Sequence, residues 1–281
     1  MPIYKYLLLD DPAPFIRRIT LNRPEKRNAL CNPLRGELFN ALEAADRDDS
    51  IRVTILRGVG KDFCAGYDLS ADNTADQPYH TAAGLGQWPR HVVEGLFRIW
   101  DLTKPVIAQV HGHCLAGGTE LATACDIVYV AVDAKIGYPV TRIISPPDAQ
   151  VFPWLIGMRR AQEMMLTGDA ISGIEAAQWG FATRAFPAAE LEAATLAIAE
   201  RVAKVPSEVQ QFNKRSTHRA MELMGMRNAL RAGTELQALA AQTPTAQAYF
   251  ANARENLTRA LTERDKQFGD YRTEGHKKDK Q

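Results

Sequence analysis

Four cysteines are all that this chain of 281 residues contains. Cys31, Cys64, Cys114 and Cys125 lie far apart with no CxxC spacing. That excludes a disulfide scaffold and a thiolate metal centre, and the four read as reduced, buried small hydrophobes of a cytoplasmic protein. Charge of one sign is also missing. Lys and Arg number 34 against 33 Asp and Glu, a net charge of +1. A balance this close argues against a nucleic-acid or anionic-membrane partner. No apolar run reaches the length of a membrane span. The first residues, MPIYKYLLLDDPAPF, lack a basic start followed by an apolar core, so no secretory signal is expected. His111 and His113 have no acidic or thiol partner at ligand spacing, so no metal is expected. What is present is an apolar content of 46%. That is enough for the core of one moderate domain, alone or with a smaller appendage.

Two glycine turns stand out. Pro105 to Ala131, PVIAQVHGHCLAGGTELATACDIVYVA, reads as a buried strand, a turn, a short helix and a second strand. Gly117 and Gly118 open that helix, and Glu120 falls at about its third position. A carboxylate there is favoured by the helix dipole and can accept a proton at neutral pH. The unbonded N–H groups of a helix start can bind a developing anion. The bland reading is a turn followed by an ordinary helix with an acidic first turn. The second turn, KDFCAGYDL from Lys61 to Leu69, follows the strand Val53 to Leu56 and places Tyr67 and Asp68 after Gly66. Two such turns, each offering an N–H at a strand end, can make a two-donor oxyanion site.

With LNRPEKRNAL, Leu21 to Leu30, and the closing RDKQFGDY, Arg264 to Tyr271, these motifs resemble the crotonase superfamily, the enoyl-CoA hydratase/isomerase family. The resemblance covers nearly the whole chain. It is specific to the superfamily and much less so to one reaction. It implies an α/β fold, a crotonase-like (ClpP/crotonase) spiral β-β-α core over residues 1–190. A C-terminal helical oligomerisation region would follow over 191–281, ending in a disordered tail from Glu274. It implies trimers, two of which make a hexamer. It also implies an acyl-CoA or enoyl-CoA substrate, with coenzyme A as part of that substrate and no separate cofactor. By motif match the oxyanion donors are the N–H groups of Tyr67 and Gly117, and the acid/base is Glu120. Contacts to substrate and coenzyme A match Lys26, Arg27, Ala29, Ala65, Gly66, Asp68, Leu69, Gly118 and Val140. Lys26 and Arg27 read equally well as solvated surface charges.

The rest of the chain follows local signals. Tyr4 to Asp10 and Phe15 to Leu21 read as a hairpin turning around Asp10-Asp11-Pro12. Asn32 reads as the N-cap of a helix with Leu34, Leu38, Ala41, Leu42 and Ala45 inward. Ser70 to Arg90 reads as a mobile loop. Its His80 and Trp88, with His91, could reach an acyl pocket, although surface positions are the expected ones. A helix is expected over His91 to Thr103. Ser172 caps another that Gly180 ends. From Leu191 onward four helices are expected: 191–203, 207–224, 226–241 and 246–264.

One departure bears on the reaction. A hydratase of this family uses two glutamates, and the second would follow Pro139, where this chain has Val140. Valine can neither give nor take a proton. Thr141, Arg142 and Asp148 are the nearest polar groups. Arg142 stays protonated, and Asp148 reads as a helix cap or as a pocket residue. A double-bond isomerase or a C–C hydrolase of CoA esters therefore stands beside a hydratase, and an acyl-CoA-binding protein with little catalysis stands beside both.

Overall fold

The computed structural model describes residues 3–73, 75–146 and 150–269. The strands are β1 (Leu7–Ala13), β2 (Ile16–Leu21), β3 (Val53–Gly58), β4 (Val106–Val110), β5 (His113–Leu115), β6 (Ile127–Ala131), β7 (Lys135–Gly137), β8 (Ile171–Ser172) and β9 (Arg184–Phe186). The helices of the core are α1 (Asn32–Arg47), α2 (Gln87–Trp100), α3 (Gly117–Ala124), α4 (Phe152–Ile156), α5 (Met158–Thr167) and α6 (Gly173–Trp179). After them come α7 (Leu191–Ala203), α8 (Ser207–Leu223), α9 (Met226–Ala240), α10 (Pro244–Glu255) and α11 (Leu257–Lys266).

The larger sheet has the order β1-β2-β3-β4-β6-β9. Only β1 and β2 pair antiparallel; every later pair is parallel. All five residues of β4 are buried, as expected of a central parallel strand covered on both faces. A smaller sheet, β5-β7-β8, lies beside it. Bridges at Cys64–Cys114 and Leu30–Tyr67 extend its pairing to earlier parts of the chain. Each successive unit thus runs a strand through the large sheet, returns along the smaller one and leaves through a helix. That repetition is the spiral β-β-α core.

The main core fills the space between the large sheet, α1, α2 and α3. A second cluster, Ile16, Val53, Ile55, Ile107, Ala199 and Ala203, lies on the other face of the sheet under α7. Each fully buried Ile or Leu contributes about 1.5–3 kcal/mol. All eight residues of α3 are buried, and six of them are Gly, Ala or Thr, small enough to let the helix lie inside the core. Among the described residues no helix is long and apolar enough to cross a membrane.

Several boundaries differ from expectation. The hairpin turns at Pro14-Phe15, with Phe15 at φ +68. Asp10 and Asp11 lie within β1 because they pair with Arg18 and Arg17 of β2, and an irregularity between Asp10 and Ala13 lets the strand continue. Cys31 is the N-cap of α1. Asn32 instead donates to the carbonyls of Asn73 and Ala75 and accepts from Arg35. Helix α2 starts earlier, after Gly86 in the left-handed region, and stops at Trp100. Thr103 and the Lys104 N–H bond to Asp46 instead. The last expected helix is two, since Asn256 caps α11 through a bond from the Arg259 N–H. Ser172 does cap α6, in a full capping box with Glu175. All four cysteines are free and buried. The tail from Glu274 lies outside the described residues.

Candidate active site

The first wall of the site is the turn after β3. Cys64 donates to the His113 carbonyl at 3.0 Å and accepts from the Leu115 N–H at 3.0 Å. Leu30 donates to the Gly66 carbonyl and accepts from the Asp68 N–H, both at 2.8 Å. These bonds use the groups on either side of Tyr67, so its own N–H faces away from Leu30. Gly66 has φ +102, and a Cβ there would lie 3.0 Å from the Leu115 carbonyl and 3.4 Å from the Gly117 nitrogen. Only glycine allows the two turns to close on one another.

The second wall is the start of α3. Gly117 is its first residue, so its N–H has no intrahelical acceptor. Ala116 before it takes φ 48, ψ −115, a sparsely populated backbone for alanine. Thr119 secures the turn by bonding to the carbonyls of Cys114 and Gly137. Gly118 touches the first wall directly, since a Cβ on it would lie 2.2 Å from the Cys64 carbonyl oxygen. Gly117 lies under the Tyr67 ring, 2.8 Å from Cε2 to the Cβ it lacks. The Tyr67 and Gly117 turns expected to form one site are therefore in contact.

Glu120, the fourth residue of α3, is 3% exposed. The Tyr67 hydroxyl donates to its Oε2 at 2.5 Å, in the range of a charge-assisted O–H to carboxylate bond. Burying a carboxylate demands such partners. Around this pair lies a cluster that the sequence did not reveal. Arg35, 2% exposed, sits 5.4 Å from the centre of the Tyr67 ring and 5.7 Å from that of Trp88. It donates to Asn32 and to the Tyr79 hydroxyl, each at 3.0 Å. Burial works against the Arg35 charge, but Tyr67, Tyr79 and Glu120 outweigh it and raise its pKa. Trp88 meets the Tyr67 ring edge-on at 5.0 Å.

His91 is buried, not at the surface, because its ring stacks on Tyr79 at 4.1 Å and its Nδ1 lies 2.8 Å from the Thr81 hydroxyl. Burial, aided by the Arg35 charge, pushes its pKa down to about 4. Trp88 is half-buried and His80 is exposed. A signal for Arg35 existed in the sequence: it shares the helix face of Leu38, Phe39 and Leu42, where an outward arginine does not fit.

The remaining predicted residues differ in burial and in their links to the two turns. Lys26 and Arg27 are exposed, with Arg27 Nε 3.8 Å from an oxygen of Asp62. Ala65 donates to the Arg27 carbonyl at 3.0 Å, joining the loop of Lys26, Arg27 and Ala29 to the Tyr67 turn. Asn28, wholly buried, holds that loop by bonding to Arg23, Val59 and Asp62. Leu69 is exposed. Asp68 is buried; bonds from Ser70 and Arg23 overcome its desolvation and hold its pKa below the usual carboxylate value. Burial pushes the Cys64 thiol up to about 12, so it is no nucleophile.

Val140 lies half-buried on the single-turn helix Pro139–Arg142, packed against the main core. Arg142 serves structure, with Nη1 3.0 Å from Asp265 and Nε 2.9 Å from the Thr167 carbonyl. Asp148 lies outside the described residues. His113 does have an acidic partner, with its Nδ1 2.6 Å from Asp62. Among the described residues no group of three His, Cys, Asp or Glu could hold a metal. A separate cleft of about 370 Å³, lined by Trp100, Lys214, His218 and Arg227 among others, contains none of the residues above.

A spiral core that presses two main-chain turns together beside one buried carboxylate defines an enzyme of the crotonase superfamily. Within it, this chain belongs to the enoyl-CoA hydratase/isomerase family, whose sequence profile matches residues 14–244. A mitochondrial enoyl-CoA hydratase of Pongo abelii is 34% identical over 209 residues, covering 73% of this chain and 69% of that one. The 2,3-dehydroadipyl-CoA hydratase of Escherichia coli is 34% identical over 218 residues, covering 76% and 81%. The crystal structure of an enoyl-CoA hydratase/isomerase from Xanthobacter autotrophicus Py2 superimposes with a TM-score of 0.84 at 34% identity, covering 94% of this chain and 99% of that one.

Proposed function

We propose that this enzyme moves a proton at the α-carbon of an enoyl-CoA thioester, and that double-bond isomerisation is its main reaction. The N–H groups of Tyr67 and Gly117 bond the thioester oxygen as it takes on enolate charge. Each such donor is worth about 3 kcal/mol. Glu120 removes and returns the proton. The observation that supports this is the position of Glu120: a buried carboxylate on the helix that supplies one donor, hydrogen-bonded to the residue that supplies the other. Val140 removes the second carboxylate that water addition would use, which favours isomerisation over hydration. The exposed Lys26 and Arg27 are suited to the phosphates of coenzyme A. No cofactor is needed beyond the coenzyme A of the substrate. The protein assembles as trimers, most simply as a hexamer, through its C-terminal helices.

The test is a panel of 2-enoyl and 3-enoyl thioesters, with deuterium exchange at the α-carbon of butyryl-CoA followed by NMR. The parent should exchange and isomerise, and Glu120→Gln should lose both by at least about a hundredfold. Tight binding of acyl-CoA with neither exchange nor turnover would favour a binding protein instead.

A further inference from the structure

The geometry points to a second proton-transfer group in this site, the phenol of Tyr67, coupled to Glu120 as a dyad. This rests on the reading of Glu120 as the acid/base. Tyr67 is then two functional parts at once: a main-chain N–H for the thioester oxygen and a side-chain O–H for the carbon skeleton.

Three observations carry the assignment. The hydroxyl is already bonded to Glu120 Oε2 at 2.5 Å, so a proton can pass between them without a side chain moving. The ring is fixed in place. It lies on Gly117, whose missing Cβ would be 2.8 Å from Cε2, and against the edge of Trp88 at 5.0 Å. The hydroxyl therefore projects from the oxyanion turns toward the acid/base rather than into solvent. Lastly, the Arg35 guanidinium is 5.4 Å from the ring centre and held by Asn32 and Tyr79. A fixed, buried cation at that distance stabilises phenolate, the form the dyad passes through.

The proton balance closes without another reactant. Glu120 takes a proton from C2 of a 3-enoyl thioester, and the electron pair moves through the carbonyl to the oxygen held by the two N–H groups. The Tyr67 O–H then protonates C4, and the pair returns to form the C2–C3 double bond. The phenolate regains its proton from the Glu120 carboxylic acid along the existing hydrogen bond. Valine at position 140 contributes no proton to this route, so the dyad accounts for how proton delivery can proceed without a carboxylate there.

Tyr67→Phe in the full-length chain tests this, because it keeps the main-chain N–H and the ring and removes only the hydroxyl. On a 3-enoyl thioester kcat should fall about a hundredfold or more, with KM changed by less than about threefold. Exchange at the α-carbon of saturated butyryl-CoA uses Glu120 and no proton at C4, so it should fall at least about tenfold less than isomerisation does, even though Glu120 loses a hydrogen-bond partner. A kcat within about threefold of the parent overturns the dyad and leaves the phenol as packing. Parallel loss of exchange and isomerisation also overturns it, since the phenol would then only hold Glu120 in place. If the parent itself neither exchanges nor isomerises, the reading of Glu120 fails, which is a distinct result. Should Tyr67→Phe not fold, 3-fluorotyrosine at position 67 replaces it. The lower phenol pKa should shift the basic limb of the kcat profile downward, and an unshifted limb overturns the assignment.

Discussion

Arg142 Nη1 lies 3.0 Å from Oδ1 of Asp265, 123 residues further along the chain. The bond ties the turn that carries Val140 to α11. Both side chains are under 5% exposed, and Arg264 also bonds to Asp265. Removing one partner of a buried ion cluster leaves charge uncompensated, at about 3–5 kcal/mol. Asp265→Ala should therefore lower the melting temperature markedly. A shift below about 2 °C would mean that the other partners of Arg142, among them the Thr167 carbonyl and Asp169 at 2.8 Å, satisfy it without Asp265.

Val140→Glu should raise the slow hydration of crotonyl-CoA expected of the parent. A second general acid–base group is typically worth about a hundredfold to ten-thousandfold. Val140 packs against the core, so the new carboxyl will have a raised pKa and some cost in stability. The steady-state rate is measured for parent, Val140→Glu and Glu120→Gln with melting curves alongside. A fast parental rate that needs Glu120 and falls in a folded Val140→Glu would place the second group elsewhere, with Asp148→Asn the next variant to make.

His91 gives the fold a pH dependence of its own. Its pKa is about 4 when folded against an ordinary 6.5. Between those values the unfolded chain binds a proton that the folded chain does not, so stability falls as pH drops from 6.5 toward 4 and the loss levels off below. The urea midpoint of the parent should follow that slope. His91→Phe, which keeps the stack on Tyr79, should flatten it; an unchanged slope would assign the effect to other groups.

Gly118→Ala should damage both stability and turnover. The new Cβ would meet the Cys64 carbonyl oxygen at 2.2 Å, and that atom is main chain already bonded by the Leu115 N–H. Overpacking of this kind costs about 1–3 kcal/mol or more. The urea midpoint reads the first effect and α-proton exchange the second. A variant equal to the parent in both would show that the two turns can separate at no cost.

The assembly is read from apolar side chains on the C-terminal helices. Phe212 is 72% exposed, Leu223 89% and Leu239 64%. Light scattering at micromolar concentration should give a trimer or hexamer, and a stable monomer would refute it.

The parts of this protein that were legible in its sequence are those set by local chemistry. The apolar run of β4, the glycines at 66, 117 and 118, and the capping box at Ser172 each announce one backbone conformation. The hairpin turn was misplaced because Asp10 and Asp11 resemble turn residues until their arginine partners on β2 are known. Asn32 looked like a cap but is used by a loop forty residues away, with Asn73 and Ala75. The Tyr67–Glu120 bond spans 53 positions. Arg35, Tyr79 and His91 likewise meet only once α1 and α2 are packed together. Side-chain partnerships across the spiral leave no periodicity for a sequence reading to detect.

The two proposed anion donors of this site belong to the peptide backbone, and almost any amino acid can stand at position 67 without removing its N–H. The scaffold therefore separates what must stay from what is free to change. On the proposed roles, substitutions at 67 and 140 would retune acid strength, water access and reach while leaving both main-chain donors in place. A small library randomised at those two positions would measure how far the reaction can change on this framework.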